Sequence, residues 1–482
     1  MRALGPVQAC LGWILLARAV AEAWRLRRVT ASAASVRGAS LSAFPLLPYF
    51  SQHLEALFTP GWTSLAIAEN KTDTAVDSAR VMVDLLAVKL RSSTALQIVS
   101  YDDEGGTADL RDGAARAVRC HLYKGEAQCD AAEIVASPGV TASLNNLLIA
   151  ICEAGDGVLV PTPCYGAFPF DIEGSPSARN ILVPCPLPPP LCVLTEAALE
   201  AAVRTHHAER SGAPRVAVLL LTSPSNPLGR VLSPAELAVA VRFCCARGMH
   251  LIADEIYAAT AFANAPAVPG AAPCAQFVSA RVIAERLAAD DAEISAWAER
   301  QLHVLWGLSK DASSSGIRLG FCHSRSGAVQ KAVGLANHFG GCSAFAQHAA
   351  AELLKDARQS ADLFLRASRQ LSQTAAFVCA KLKTLEPRIT HVSPDAGMFV
   401  WCDLSAARRL RGGVVETEAE LLDAIRTTCK LVLTPGRACL ASEDGFVRIC
   451  YAAVPRPELE AAIDRLVAFC QDRLAPDSKK QE

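Results

Sequence analysis

Residues 216 to 254 spell one complete strand, turn, helix and strand, and no other feature of the chain limits its fold as much. VAVLLLT (216 to 222) is a continuous apolar run, as a strand buried on both faces requires. SPSNPLG (223 to 229) is turn chemistry. SPAELAVAVRFCCARG (233 to 248) opens with Ser233 as N-cap, Pro234 in the first turn and Glu236 completing a capping box, and Gly248 stops it. HLIAD (250 to 254) is the next strand. A right-handed crossover makes the two strands parallel, so their carboxyl ends share one edge, where open parallel sheets bind ligands. Elsewhere, similar β-rich runs alternate with helical patterns, so the expected class is α/β around a mostly parallel sheet.

That edge collects polar residues. Asn226 lies just beyond the first strand, and Asp254 and Tyr257 lie at the end of the second. HVLWGLSK (303 to 310) is a third strand-like run; with the same sense, it delivers Lys310 to the same place. A lysine after a buried strand ordinarily marks only the point where the chain meets water. Here it has company. SPGVTASLNNLL (137 to 148) is a Gly-bearing turn leading into a helix from about Thr141, and the free N–H groups of its first turn, at Val140 and Thr141, suit a phosphate. Arg318, eight residues after Lys310, could grip the same phosphate in bidentate fashion. The set matches the needs of pyridoxal phosphate. Its aldehyde would form an aldimine with Lys310, Asp254 would keep its ring nitrogen protonated, and Asn226 and Tyr257 would hydrogen-bond the ring O3′.

Composition narrows the function classes. With 482 residues, 51% of them hydrophobic and 20% charged, the chain can bury a large core. A formal net charge of −1 with interleaved signs gives no footprint for nucleic acid. The 18 cysteines are scattered, with no C-x-x-C pair and no H-E-x-x-H helix, so they read as reduced, mostly buried small hydrophobes, and no metal is expected. Residues 1 to 54 hold six arginines and one acid, Glu22, and read as a leader or disordered extension. ACLGWILLA (9 to 17) is too short to span a bilayer, and Arg18 ends it. The expected location is cytoplasmic, or mitochondrial or plastid where the Arg-rich leader is a transit peptide.

From about residue 60 to 465 the chain resembles the fold-type I, class I/II aminotransferases, in particular the branch that resembles 1-aminocyclopropane-1-carboxylate synthase. The likeness rests on SLAIAENK (64 to 71), YDDEGGTADLR (101 to 111), GVTASLNNLL (139 to 148), PTPCYGAF (161 to 168), TSPSNPLG (222 to 229), ADEIY (253 to 257), LSKDASSSGIRLG (308 to 320), DAGMFVWCDL (395 to 404) and GFVRICYA (445 to 452). The resemblance implies a large domain with a mostly parallel seven-stranded sheet flanked by helices, plus a smaller α+β domain. It assigns 55 to 100 to the N-terminal part of the small domain, 101 to 335 to the large cofactor-binding domain and 336 to 475 to the C-terminal small domain. It further implies a homodimer, the substrate carboxylate on Arg448, and substrate contacts from Glu69 and Asn70. An arginine between Val447 and Ile449 has an apolar setting and needs an anion.

Departures from the family pattern bear on the reaction. Gly307 stands where many relatives place a phosphate-binding serine, leaving Ser309 as a partial substitute. Cys164 stands where the family has the first of two tyrosines, the one that stacks on the pyridine ring, so either Cys164 or Tyr165 faces the cofactor. Glu104 replaces the tyrosine that crosses to the partner in the plant synthases, and Tyr101 lies three residues earlier. Extra length between Tyr257 and Lys310, about 263 to 300, reads as an inserted surface excursion. The expected activity is amino transfer between an α-amino acid and a 2-oxo acid. The alternatives are ring closure on S-adenosylmethionine, which Glu69 and Asn70 favour and Cys164 and Glu104 oppose, and a catalytically silent descendant.

Overall fold

The computed structural model describes residues 47 to 475 except 92 to 94, 176 to 178, 210, 211, 213, 269 to 272, 412 and 413, so the leader is outside the described residues as far as residue 46. Seven strands form the central sheet: β1 (Ile134–Ser137), β2 (Gly157–Thr162), β3 (Ile181–Pro186), β4 (Val216–Thr222), β5 (His250–Asp254), β6 (Leu302–Gly307) and β7 (Gly320–Ser324), in the order β1-β7-β6-β5-β4-β2-β3. Every neighbouring pair is parallel except those made by β7. Strands β4, β5 and β6 are buried almost throughout, as their unbroken apolar runs require, because helices cover both faces.

The unit 216 to 254 folds as read. Ser233 Oγ accepts from Glu236 N at 3.3 Å, the Glu236 carboxylate accepts from Ser233 N at 2.9 Å, and Gly248 closes the helix in the left-handed region at φ +60°. The segment from about 263 to 300 corrects the reading of a surface excursion. The helices Ala280–Ala288 and Ala292–Gln301 within it are the crossover between β5 and β6. Val282, Ile283, Ala284, Ile294 and Trp297 are buried in the core cluster of the sheet, and the Trp297 indole donates to Met249 O at 2.9 Å. Charged residues every few positions had hidden the apolar stripe that packs inward.

A second hydrophobic cluster surrounds a four-stranded antiparallel sheet of Thr390–Val392, Phe399–Asp403, Thr434–Pro435 and Phe446–Cys450. The short strand Thr63–Ser64 pairs with Leu431–Val432 and carries Leu65 into this cluster. The helix Ala357–Lys383 belongs to both cores, with Leu363 and Phe364 in the first and Leu371, Val378 and Leu382 in the second. Among the described residues no helix is long and apolar enough to cross a membrane.

Candidate active site

The carboxyl ends of β4, β5 and β6 open onto a cleft of about 430 Å³ that also receives residues from 47 to 69 and from the second cluster. Lys310 lines it. Strand β6 ends at Gly307, and the lysine sits on the single helical turn Leu308–Asp311 that follows. Its Nζ donates to Ala68 O at 2.5 Å. Burial pulls the ammonium down to about 8, which makes the neutral amine, the form that acts as a nucleophile and base, easier to reach than for a free lysine.

Asp254 ends β5 and accepts from Ile256 N at 3.2 Å. Burial pushes its carboxyl up to about 7, against the pull of that N–H and of Lys310. A carboxylate so poised is short of a cation, and a protonated ring nitrogen would supply one. Burial also raises the Tyr257 hydroxyl well above its ordinary value, and the ring sits edge-on to Phe399, with centroids 5.5 Å apart.

Arg448 comes from the middle of the strand Phe446–Cys450, in the other core, and is 2% exposed. Its Nη1 donates to Asn226 Oδ1 at 2.9 Å, and Nη2 to Ala66 O at 2.5 Å and Thr434 Oγ1 at 3.0 Å. The guanidinium lies 4.7 Å over the Phe399 ring, while Nε is buried with no hydrogen-bond partner. All these partners are neutral. A buried guanidinium whose contacts are only neutral lacks its counter-ion, which an amino-acid carboxylate would provide.

The helix Val140–Ile151 also begins at the cleft, with Gly139 at φ +89° as its N-cap. Ser143 N bonds back to Gly139 O at 3.1 Å, which leaves the N–H groups of Val140 and Thr141 without an intrahelical acceptor. Arg318, itself left-handed at φ +53°, donates from Nη1 to Ser315 O at 2.9 Å and from Nη2 to Pro138 O at 3.3 Å. The guanidinium fills the space where a side chain on residue 139 would start, since a Cβ there would fall 2.5 Å from Nη2. Gly320 lets β7 approach the same turn, for its Cβ would meet Val140 N at 2.5 Å. This glycine-made cradle of N–H groups and a guanidinium fits a phosphate, and with Asp254 and Lys310 the donor set fits pyridoxal phosphate as a whole.

Gly307 has a physical reason. A Cβ at that position would meet Leu319 O at 2.8 Å and Gly320 Cα at 3.1 Å, so the serine found in relatives has no room here. Ser309, the expected substitute, does line the cleft.

The structure separates Glu69 from Asn70. Glu69 lines the cleft, accepting from Ser315 Oγ at 3.3 Å and pairing with Lys71 at 3.2 Å. Asn70 does not. It is buried, donates to Ser313 Oγ at 2.7 Å and accepts from Thr72 N at 3.0 Å and Thr72 Oγ1 at 2.6 Å, which holds the 69 to 72 turn against the lysine loop. Residues 164 and 165 are likewise separated. Tyr165 lines the cleft, while Cys164 turns into the apolar cluster between the helix Val140–Ile151 and the sheet. Glu104 pairs with His338 at 2.6 Å, and Tyr101 is fully exposed.

Sequence reasoning missed Tyr49, Phe168 and Asp171, which also line the cleft. Burial, and secondarily Asp254, push the Asp171 carboxyl up to about 7. The apolar, acidic pattern of FPFDIE was its one visible signal.

Comparison with known proteins agrees with this geometry. The profile of the family described as Aminotransferase class I and II matches residues 61–466. The chain is 30% identical over 341 residues to 1-aminocyclopropane-1-carboxylate synthase of Malus domestica, covering 70% of this chain and 67% of that protein. It is 31% identical over 373 residues to 1-aminocyclopropane-1-carboxylate synthase 6 of Arabidopsis thaliana, covering 77% and 70%. Among solved structures it is similar to aspartate aminotransferase from Thermus thermophilus with maleate, at TM-score 0.72 and 20% identity over 89% of this chain and 98% of that one. The aromatic aminotransferase from Pyrococcus horikoshii gives TM-score 0.68 and 21% identity over 88% and 99%.

Proposed function

The chain belongs to the class I and II aminotransferase family and is a pyridoxal-phosphate-dependent enzyme, and from that premise we propose that it transfers the amino group of an α-amino acid to a 2-oxo acid. The observation that carries this reading is the convergence of Lys310, Asp254 and Arg448 on one cleft from two different cores. Bound pyridoxal phosphate supplies an electron sink that acidifies the α-proton of an amino acid. Val140, Thr141, Ser309 and Arg318 would hold its phosphate, Asp254 would keep the proton on its ring nitrogen, and Asn226 and Tyr257 would hydrogen-bond its ring hydroxyl. Arg448 binds the substrate carboxylate and so sets which bond at the α-carbon stands across the ring plane. Lys310, whose ammonium burial pulls down to about 8, would serve as the base that takes the α-proton of the bound amino acid.

A second reading, ring closure on S-adenosylmethionine, is favoured by Glu69 in the cleft and by the named activity of the curated relatives. Tyr165 in the cleft weakens one departure that opposed it, and Glu104 remains against it. Ring closure also needs the γ-carbon aligned for backside attack, where a misplacement of about 1 Å costs on the order of a hundredfold. The deciding experiment incubates the holoenzyme with S-adenosylmethionine and, separately, with amino acids plus 2-oxo acids, and identifies products by mass. Amino exchange is expected to dominate. Release of methylthioadenosine with the cyclopropane amino acid, and no exchange, would reverse the order. A homodimer is part of the same reading, supported by the exposed Phe339 and Tyr101, as is a cytoplasmic location, or an organellar one where the leader is a transit peptide.

A further inference from the structure

Asp311 follows Lys310 in the chain, yet it does not line the cleft and is 1% exposed. Its Oδ2 accepts from the Trp306 indole N–H at 2.8 Å and from Ala259 N at 3.1 Å, while Oδ1 is buried with no hydrogen-bond partner. Burial drives this carboxyl up to about 7 while the indole and the backbone N–H groups pull the other way. A buried carboxylate is costly unless it is bonded, so the contacts it makes define where its backbone can sit.

The other side of those contacts is the turn Ala258–Thr260, which begins directly after Tyr257. Thr260 Oγ1 donates to Tyr257 O at 2.6 Å and accepts from Gly397 N at 2.8 Å, so the turn is in turn tied to the second core. Trp306, the remaining donor, is clamped between Phe321, stacked at 5.6 Å, and Phe364 of the helix Ala357–Lys383, edge-on at 6.3 Å. Two groups that reach the cofactor from neighbouring strands, the Lys310 amine and the Tyr257 hydroxyl, are therefore referenced to one carboxylate behind the site.

We propose that Asp311 is a positioning residue that locks the Lys310 turn to the Tyr257 turn, setting the distance between amine and hydroxyl at the cofactor. A residue that merely fills the core would change stability alone. One that sets this distance changes the cofactor itself, because Tyr257 and Lys310 move relative to each other.

The test uses holoenzyme of Asp311→Ala and Asp311→Asn, with three readouts: melting temperature, the pH midpoint of the cofactor's visible band, and the rate of cofactor loss on dialysis. Asp311→Ala is expected to shift the midpoint by about one unit and to speed cofactor loss roughly tenfold, the scale of a sub-ångström misplacement. Asp311→Asn, which keeps an acceptor for the N–H groups, restores most of both. An alanine variant with a lower melting temperature but an unmoved midpoint and release rate overturns the proposal. Where Asp311→Ala does not fold, Trp306→Phe removes one donor to the carboxylate. It is then expected to displace the midpoint and speed cofactor loss by more than Asp311→Asn does, and an unmoved midpoint and release rate in Trp306→Phe overturn the proposal equally. None of these readouts depends on which reaction the enzyme runs.

Discussion

Arg448 Nη1 and Asn226 Oδ1, both lining the cleft, meet at 2.9 Å and join the second core to the turn after β4. The bond has two consequences. It fixes the Asn226 amide with its oxygen toward the arginine, so its N–H₂ is the end left for a ring oxygen. It also joins the proposed carboxylate-binding arginine to the proposed cofactor-binding asparagine in one hydrogen-bonded structure.

Replacing Arg448 separates the two sites. Arg448→Ala should weaken amino-acid binding by about 2 to 5 kcal/mol, because a desolvated carboxylate loses its partner, while the cofactor's visible spectrum persists. Arg448→Lys should recover little, since an ammonium cannot present the fork that reaches Asn226, Ala66 and Thr434 together. Substrate titrations followed by absorbance measure it, and an effect well under 1 kcal/mol would remove the carboxylate role.

Lys310 should react with the cofactor in a pH-dependent way set by its burial. A protonated amine is not a nucleophile, and burial lowers its pKa, so the reactive form appears at lower pH than for a free lysine. The rate at which cofactor-free protein forms a borohydride-reducible adduct with pyridoxal phosphate should rise with pH through a midpoint near 8, not near 10.5. Lys310→Ala should form no such adduct. Mass spectrometry of the reduced protein checks both.

Gly139→Ala should damage the phosphate cradle. The new methyl would lie 2.5 Å from Arg318 Nη2 on a backbone at φ +89°, so either the guanidinium or the helix start has to move. Cofactor affinity is expected to fall by about tenfold or more, equivalent to at least roughly 1.4 kcal/mol, with Arg448-dependent substrate binding to reconstituted enzyme retained. Unchanged cofactor affinity would place the phosphate elsewhere.

The turn that carries Asn226 is braced by Glu236, whose carboxylate holds Arg230 at 2.5 Å and accepts from Leu194 N at 2.9 Å. Burial pushes that carboxyl up, but the Arg230 bond and the N–H groups of Leu194 and Ser233 outweigh it and bring it down to about 2. A carboxylate depressed in the folded state adds stability that is complete above its unfolded value near 4.5 and disappears as pH falls through about 2. Glu236→Gln should therefore cost on the order of 3 kcal/mol at pH 7 and much less at pH 2. Denaturant unfolding at several pH values reads the difference, and parallel curves for the two proteins would rule it out.

The residues that met in the cleft as expected are those whose position follows from topology. Once 216 to 254 is a right-handed βαβ unit, Asn226, Asp254 and Lys310 must end at one edge, because parallel strands with buried runs leave their polar residues where the runs stop. The helix start at Val140 and its phosphate-ready N–H groups follow from glycine and local backbone rules in the same way.

What only the tertiary structure decided is where side chains point when two neighbours compete. Cys164 and Tyr165 are adjacent, as are Glu69 and Asn70, and in irregular backbone no period says which of each pair turns inward. Packing chose Tyr165, whose ring meets Phe168 edge-on at 5.3 Å, and it sent Asn70 to Ser313. The same limit hid the burial of the helices of 280 to 301, whose inward stripe becomes apparent only against the sheet, and Asp171, whose place in the cleft with Asp254 depends on a fold bringing together residues far apart in sequence. Local rules set what each segment can be, and long-range packing sets what each side chain meets.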